Sequence, residues 1–119
     1  MLETSILNMF ELAFTNKGYT IRTAASAEQA LEILKTEKIL VMFLDLNLPE
    51  MNGIDLCRAI KQEMPMAILY ALTGYASLFK LSDCRDAGFD DYYKKPVSMS
   101  CLLEAAQTGF EKIDRWKNV

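Results

Sequence analysis

The sequence predicts an α/β protein: a doubly wound parallel sheet in three α/β/α layers, with helices on both faces. Three observations carry that prediction. The runs Ile39–Leu44 and Met66–Leu72 are apolar without alternation, so each reads as a strand that is covered on both faces. Segments of helical period, about ten residues or more, separate successive strands, as right-handed parallel crossovers require. The chain has 119 residues, 51% hydrophobic and 24% charged, which suits one domain with a buried core and neither a disordered chain nor a coiled coil.

Each element follows from its own pattern. Between Thr4 and Lys17, Ile6, Leu7, Phe10, Ala13 and Phe14 recur at three and four, a helix with one buried stripe that Gly18 ends. Tyr19–Thr23 alternates as a short strand. Ser26 with Gln29 forms a capping box for a helix through Ala30, Leu31, Ile33 and Leu34. Asn47, Pro49, Asn52 and Gly53 mark the loop after the first apolar strand, and Ile54–Glu63 is a helix that Pro65 stops. Thr73-Gly74 follows the second apolar strand. A helix of about Ala76–Ala87 closes on Gly88, Phe89–Lys94 is a short strand, and Pro96 breaks it. Ser98 caps a last helix whose expected buried stripe is Met99, Leu102, Leu103, Ala106, Phe110, Ile113 and Trp116. Met42, Met64, Met66 and Met99 lie in or beside core elements and read as gap-fillers, while Asp90-Asp91 and Lys94-Lys95 read as solvated charge, Lys95 excepted.

Counting removes several classes of function. The net charge is −3, so net charge alone supplies no nucleic-acid surface. There is no histidine, which rules out His-based metal sites, Ser-His-Asp and Cys-His catalysis, and a phosphohistidine step on this chain. Cys57, Cys84 and Cys101 are odd in number and lack zinc-ribbon spacing; they read as core or half-buried thiols of a cytoplasmic protein. The longest apolar run, Ile39–Leu44, is too short to span a membrane, and no basic stretch precedes an apolar one at the N-terminus.

In doubly wound sheets the ligand site lies at the carboxyl ends of the strands, where this chain has Asp45, Thr73 and Lys95, each one αβ unit after the last. A carboxylate that takes a phosphoryl group needs a cation to offset the incoming charge. Lys95 can pair first with Asp45 and then with a phosphoryl oxygen, and Thr73 can donate to another oxygen. Pro96 holds the end of the lysine strand in a fixed turn, and X-Pro is the peptide type in which cis costs little. Singly, each residue has an ordinary explanation in a cap, a turn or a strand end. Together, in this order, they make a phosphoryl site.

These residues stand within Leu44-Asp45-Leu46-Asn47-Leu48-Pro49-Glu50-Met51-Asn52-Gly53, Leu72-Thr73-Gly74-Tyr75 and Gly88-Phe89-Asp90-Asp91-Tyr92-Tyr93-Lys94-Lys95-Pro96. Across essentially the whole chain the sequence resembles the receiver domain of two-component response regulators, which has a flavodoxin-like fold. The resemblance implies Asp45 as phosphoacceptor, Thr73 as switch hydroxyl, Lys95 as phosphate-binding lysine, and Tyr92 as switch aromatic. The residue pattern equally allows Tyr92 to be a strand aromatic half buried against the last helix. Asn47 and Tyr75 match positions that tune autodephosphorylation.

The resemblance also implies Mg²⁺, held by Asp45, the backbone carbonyl of Asn47 and Glu3. Receivers begin with a central strand that ends in two acidic residues. Counting back from Gly18-Tyr19, that pair falls on Met1 and Leu2 and its strand falls ahead of residue 1, so a weakened metal site and slow or absent phosphotransfer are expected. The absent strand belongs between Tyr19–Thr23 and Ile39–Leu44, where its loss exposes backbone groups at a cost of several kcal/mol. It is expected from a longer native chain, from another chain by strand addition or swapping in a homodimer, or else the sheet closes differently.

The implied function is a phosphorylation-controlled switch without an effector domain of its own. It would accept a phosphoryl group from a histidine kinase or phosphotransfer protein and signal to a downstream protein docked on the last two helices and the Tyr92 strand. A pseudo-receiver, which binds or dimerises without phosphate control, is the alternative. A haloacid-dehalogenase-type phosphatase is a third reading, against which stand Asn47, where that family has its second Asp, and the lack of a cap insertion.

Overall fold

The structure is a computed structural model and describes residues 12–46, 52–74 and 81–117. Helical residues 12–16 (α1) are followed by α2 (Ala27–Thr36), β1 (Val41–Asp45), α3 (Gly53–Glu63), β2 (Ile68–Thr73), α4 (Leu81–Ala87), β3 (Asp91–Lys94) and α5 (Met99–Lys117). The described strands form one parallel sheet in the order β1-β2-β3, with Val41 opposite Ile68 and Tyr70 opposite Asp91. This is the expected doubly wound arrangement.

Alternation along the strands builds the two core layers. Leu69 and Ala71 of β2 join Leu44, Leu56, Cys57 and Ile60 under α2, α3 and α4. Ile68 and Tyr70 face Ala105 and Ile113 of α5, and Leu72 faces Leu102 and Ala106. Every residue of β2 is buried, so its apolar run is explained by cover on both faces. Fully buried Leu56, Ile60, Leu69 and Leu102 each contribute roughly 1.5–3 kcal/mol by leaving water.

The caps of α2 and α5 were legible in the sequence at Ser26 and Ser98, whereas Asn52 was marked there only as a loop residue. Ser26 Oγ accepts from Gln29 N–H at 3.1 Å, while the Gln29 side chain accepts from Ala25 N–H at 2.7 Å, a capping box shifted back by one residue. Asn52 caps α3 by accepting from Asp55 N–H at 2.9 Å, and Ser98 caps α5 by accepting from Cys101 N–H at 3.2 Å.

Several expectations are corrected. Residues 19–23 alternate but are not a strand among the described residues, because a strand exists through its ladder and no partner lies beside them. The segment is held by side chains instead: Arg22 makes two bonds to the Glu37 carboxylate at 2.9 and 3.0 Å, and Tyr19 stacks on Phe110. For the same reason β1, expected at the centre of a sheet, stands at the edge of the three described strands, and its first three residues are half-buried. The stripe of α5 runs through Leu102, Ala105, Ala106, Gly109 and Ile113, leaving Phe110 41% and Trp116 62% exposed. Tyr70 decides that rotation: its hydroxyl donates to Ala105 O at 2.7 Å, and a Cβ on Gly109 would lie 3.1 Å from it. Met66 is exposed in the turn before β2, whereas Met42, Met64 and Met99 do pack against core clusters. Cys57 and Cys84 are buried free thiols and Cys101 is half-buried. Among the described residues no helix is long and apolar enough to cross a membrane.

Candidate functional site

Parallel strands deliver their carboxyl ends to one edge, and Asp45 and Thr73 are the last residues of β1 and β2. Lys95 follows β3. Backbone bonds hold the three ends in step: Leu46 N–H donates to Leu72 O at 3.1 Å, and Lys95 N–H donates to Thr73 O at 2.8 Å. The peptide between Lys95 and Pro96 is cis.

Lys95 Nζ donates to Asp45 Oδ2, joining residues fifty positions apart. The Asp45 side chain is 10% exposed and that of Lys95 32%, so the carboxylate sits inside and the ammonium reaches in from the rim. A carboxylate this far from water needs a cation, since burying it unpaired would cost several kcal/mol. Thr73 is buried at the next strand end. Gly53 supports the site from below: its N–H donates to Leu46 O at 3.1 Å, and a Cβ there would lie 2.6 Å from the Asp45 carbonyl oxygen.

Tyr92 is half-buried and packs with the cluster that contains Cys84 and Ala87, on the α3–α4 side of the sheet. It is therefore not the aromatic against the last helix; alternation along β3 gives that place to Tyr93. Glu3, Asn47 and Tyr75 lie outside the described residues.

Mg²⁺ favours six oxygens in octahedral array, commonly with one or two carboxylates. Among the described residues no three acidic or thiol groups come together, and the Asp45 carboxylate already accepts from Lys95. The described residues therefore do not by themselves fit the ion.

Sequence reasoning missed Asp90. Its side chain is 19% exposed and accepts from the Leu69 backbone N–H at 2.9 Å and from Lys61 Nζ at 3.1 Å, with Lys112 Nζ at 3.7 Å. Nothing in the Asp90-Asp91 pair marked the first as the acceptor that ties β2 and α3 together. Gly53 was visible only as a loop residue, yet its missing side chain is what lets α3 begin against Asp45.

Comparison with known proteins agrees with this arrangement. A sequence model of the response regulator receiver domain matches residues 3–107. The alginate biosynthesis transcriptional regulatory protein AlgB of Pseudomonas aeruginosa is 33% identical over 109 residues, covering 92% of this chain and 24% of that protein. The alkaline phosphatase synthesis transcriptional regulatory protein PhoP of Bacillus subtilis is 33% identical over 96 residues, covering 81% of this chain and 40% of that protein. The chain thus spans less than half the length of either relative. A crystal structure of a CheY-like response regulator receiver domain protein from Methanospirillum hungatei JF-1 superposes with a TM-score of 0.82 at 28% identity, covering 98% of this chain and 90% of that one. The signal receiver domain of an HD domain-containing protein from Pseudomonas fluorescens Pf-5 gives 0.87 at 26%, covering 98% and 86%. A parallel sheet between helices, a carboxylate and a lysine joined at its strand ends, and a family match over most of the sequence lead to one conclusion: the chain belongs to the response regulator receiver domain family of two-component signalling.

Proposed function

We propose that this chain is a phosphorylation-controlled switch and that Asp45 is its phosphoacceptor. The observation that carries the proposal is the Lys95 ammonium on the Asp45 carboxylate at the strand ends, beside buried Thr73. In the reaction a carboxylate oxygen of Asp45 attacks the phosphorus of a phosphohistidine on a kinase or phosphotransfer protein. The new P–O bond forms as the P–N bond breaks, and the imidazole leaves with its electron pair and takes a proton. Lys95 meanwhile passes from the carboxylate to a phosphoryl oxygen, offsetting roughly −1.5 to −2 of added charge. Thr73 donates to a second oxygen, and the response travels through Tyr92 to the face formed by α4, β3 and α5, where a downstream protein docks. Asn47 and Tyr75 set how long the phosphoryl group lasts. The working compartment is the cytoplasm, where such donors are found.

The test is intact mass after incubation with acetyl phosphate and MgCl₂, for wild type and Asp45→Asn. A gain of one phosphoryl group confined to the wild type supports the proposal. A folded wild type that gains nothing, or a gain shared by Asp45→Asn, overturns it and leaves the phosphorylation-independent interaction module.

A further inference from the structure

Asn52 is the one asparagine of this chain that precedes a glycine; Asn8, Asn16, Asn47 and Asn118 precede Met9, Lys17, Leu48 and Val119. Asparagine before glycine is the pair most open to cyclisation, because glycine puts no Cβ beside the attacking backbone nitrogen. In that step the Gly53 nitrogen gives up its proton and attacks Asn52 Cγ. The new C–N bond forms as Nδ2 leaves with its electron pair and takes a proton, departing as ammonia. Water then opens the cyclic imide: cleavage at the former side-chain carbonyl gives aspartate, and cleavage at the main-chain carbonyl gives isoaspartate.

The fold holds each reacting group out of position. Gly53 N–H, whose proton must leave, donates to Leu46 O at 3.1 Å. Asn52 Oδ1 accepts from Asp55 N–H at 2.9 Å, which pins the side-chain amide over the first turn of α3. Ring closure needs the Gly53 nitrogen nearly eclipsed with Asn52 Cβ, and the extended ψ of 161° at Asn52 keeps the two apart. The same place has no room for the isoaspartate product. Asn52 O accepts from Leu56 N–H at 3.2 Å to begin α3, and Gly53 lies so close to β1 that a Cβ would stand 2.6 Å from Asp45 O. In isoaspartate the chain runs through Cβ and Cγ, one atom longer, and the carbonyl that serves Leu56 is displaced.

We propose that Asn52 is a modification site that the fold holds closed: when the link between β1 and α3 opens, Asn52 converts to aspartate and isoaspartate, and the longer isoaspartate backbone cannot restore the bonds made by Gly53 and Leu56. Aspartate keeps the normal backbone and caps a helix as well as asparagine does, so the two products have different consequences. The conversion is one-way and needs only water. It therefore accumulates as a chemical record of how often the edge that carries Asp45 has opened. The inference is independent of phosphorylation at Asp45.

The test uses the full chain at mildly alkaline pH, folded in buffer and unfolded in urea, with peptide mapping that separates asparagine, aspartate and isoaspartate at position 52. We expect conversion in the fold to be at least about tenfold slower than in urea, and to rise below the unfolding midpoint in step with amide exchange at Gly53. Asn47, which precedes Leu48, is the internal control and should convert at least about tenfold more slowly than Asn52 in urea. Equal rates in the fold and in urea overturn the proposal, as does Gly53 exchange that quickens with no conversion of Asn52, or an Asn47 that keeps pace in urea. The purified isoaspartate form is then refolded beside the Asn52→Asp chain, which carries the same added charge on a backbone of normal length. A lower urea midpoint for the isoaspartate form is expected, and equal midpoints would show that the edge rebuilds around the longer backbone and overturn that part of the proposal.

Discussion

Gly53→Ala is expected to disturb the fold and the site together. The added Cβ would stand 2.6 Å from the Asp45 carbonyl oxygen and 2.9 Å from Leu46 Cα, both backbone atoms that no side-chain rotation can clear. To reach the 3.4 Å at which ordinary van der Waals contact begins, the first turn of α3 and the end of β1 must separate by about 0.8 Å. Overpacking of this kind costs about 1–3 kcal/mol, which lowers the urea midpoint by about 1 M for a slope of ~1–3 kcal/mol/M. The same shift turns the Asp45 carboxylate away from Lys95, so labelling by acetyl phosphate should fall at least about tenfold. Gly74→Ala is the matched control: it sits at the same edge, and its nearest neighbour would be Lys95 Cδ at 3.9 Å, an ordinary contact. Equilibrium unfolding and intact mass are measured for the three proteins. If Gly53→Ala unfolds within about 0.5 kcal/mol of wild type, the end of β1 yields freely and the reasoning fails.

Two further predictions concern the rest of the sheet. Burial, with smaller contributions from Tyr93, Asp90 and Asp91, pushes the Tyr70 phenol up to about 12, and burial pushes the Cys57 thiol up to about 11. Each keeps its proton in the fold after the unfolded chain has lost it, so stability falls as pH rises above 9 for Cys57 and above 10 for Tyr70. Tyr70→Phe should cost about 1 kcal/mol at neutral pH, from the lost bond to Ala105 O, and remove a slope of up to about 1.4 kcal/mol per pH unit between 10 and 12. Unfolding curves of the two proteins that run parallel across that window would contradict it. Asp90→Ala strips the acceptor from the Leu69 N–H, whose residue is fully buried, and the carboxylate from Lys61, for a loss of about 2–3 kcal/mol. Asp90→Asn keeps an acceptor oxygen and should recover about half; equal losses in urea melts would show that the backbone bond is not the source.

The site was legible where chemistry and topology coincide. Asp45 and Thr73 each follow an apolar run and Lys95 follows a short strand, and parallel strands must bring such residues to one edge. What the sequence hid depends on partners distant along the chain. The α5 pattern admits two neighbouring stripes, and the small residues Ala105, Ala106 and Gly109 were chosen over Phe110 because Tyr70 needs the space. Tyr19–Thr23 has the alternation of a strand, but alternation is only half of one; the other half is a ladder that no neighbour supplies. Tyr92 and Tyr93 are chemically equal in sequence, and only the pleat of β3 sends them to opposite layers. Asp90 and Asp91 are as alike, and the start of β3 turns one into the acceptor for β2.

The Asp90 network lies at the end of the sheet opposite Asp45, and there it ties the last turn of α3, the start of β2 and β3, and α5 into one knot. The ion pairs that fasten this end share no residue with the Asp45–Lys95 pair. On the role proposed for Asp45, the added charge falls at one edge of the sheet while the bonds of Asp90 hold the other, so that edge can change without drawing on the contacts that fasten the fold.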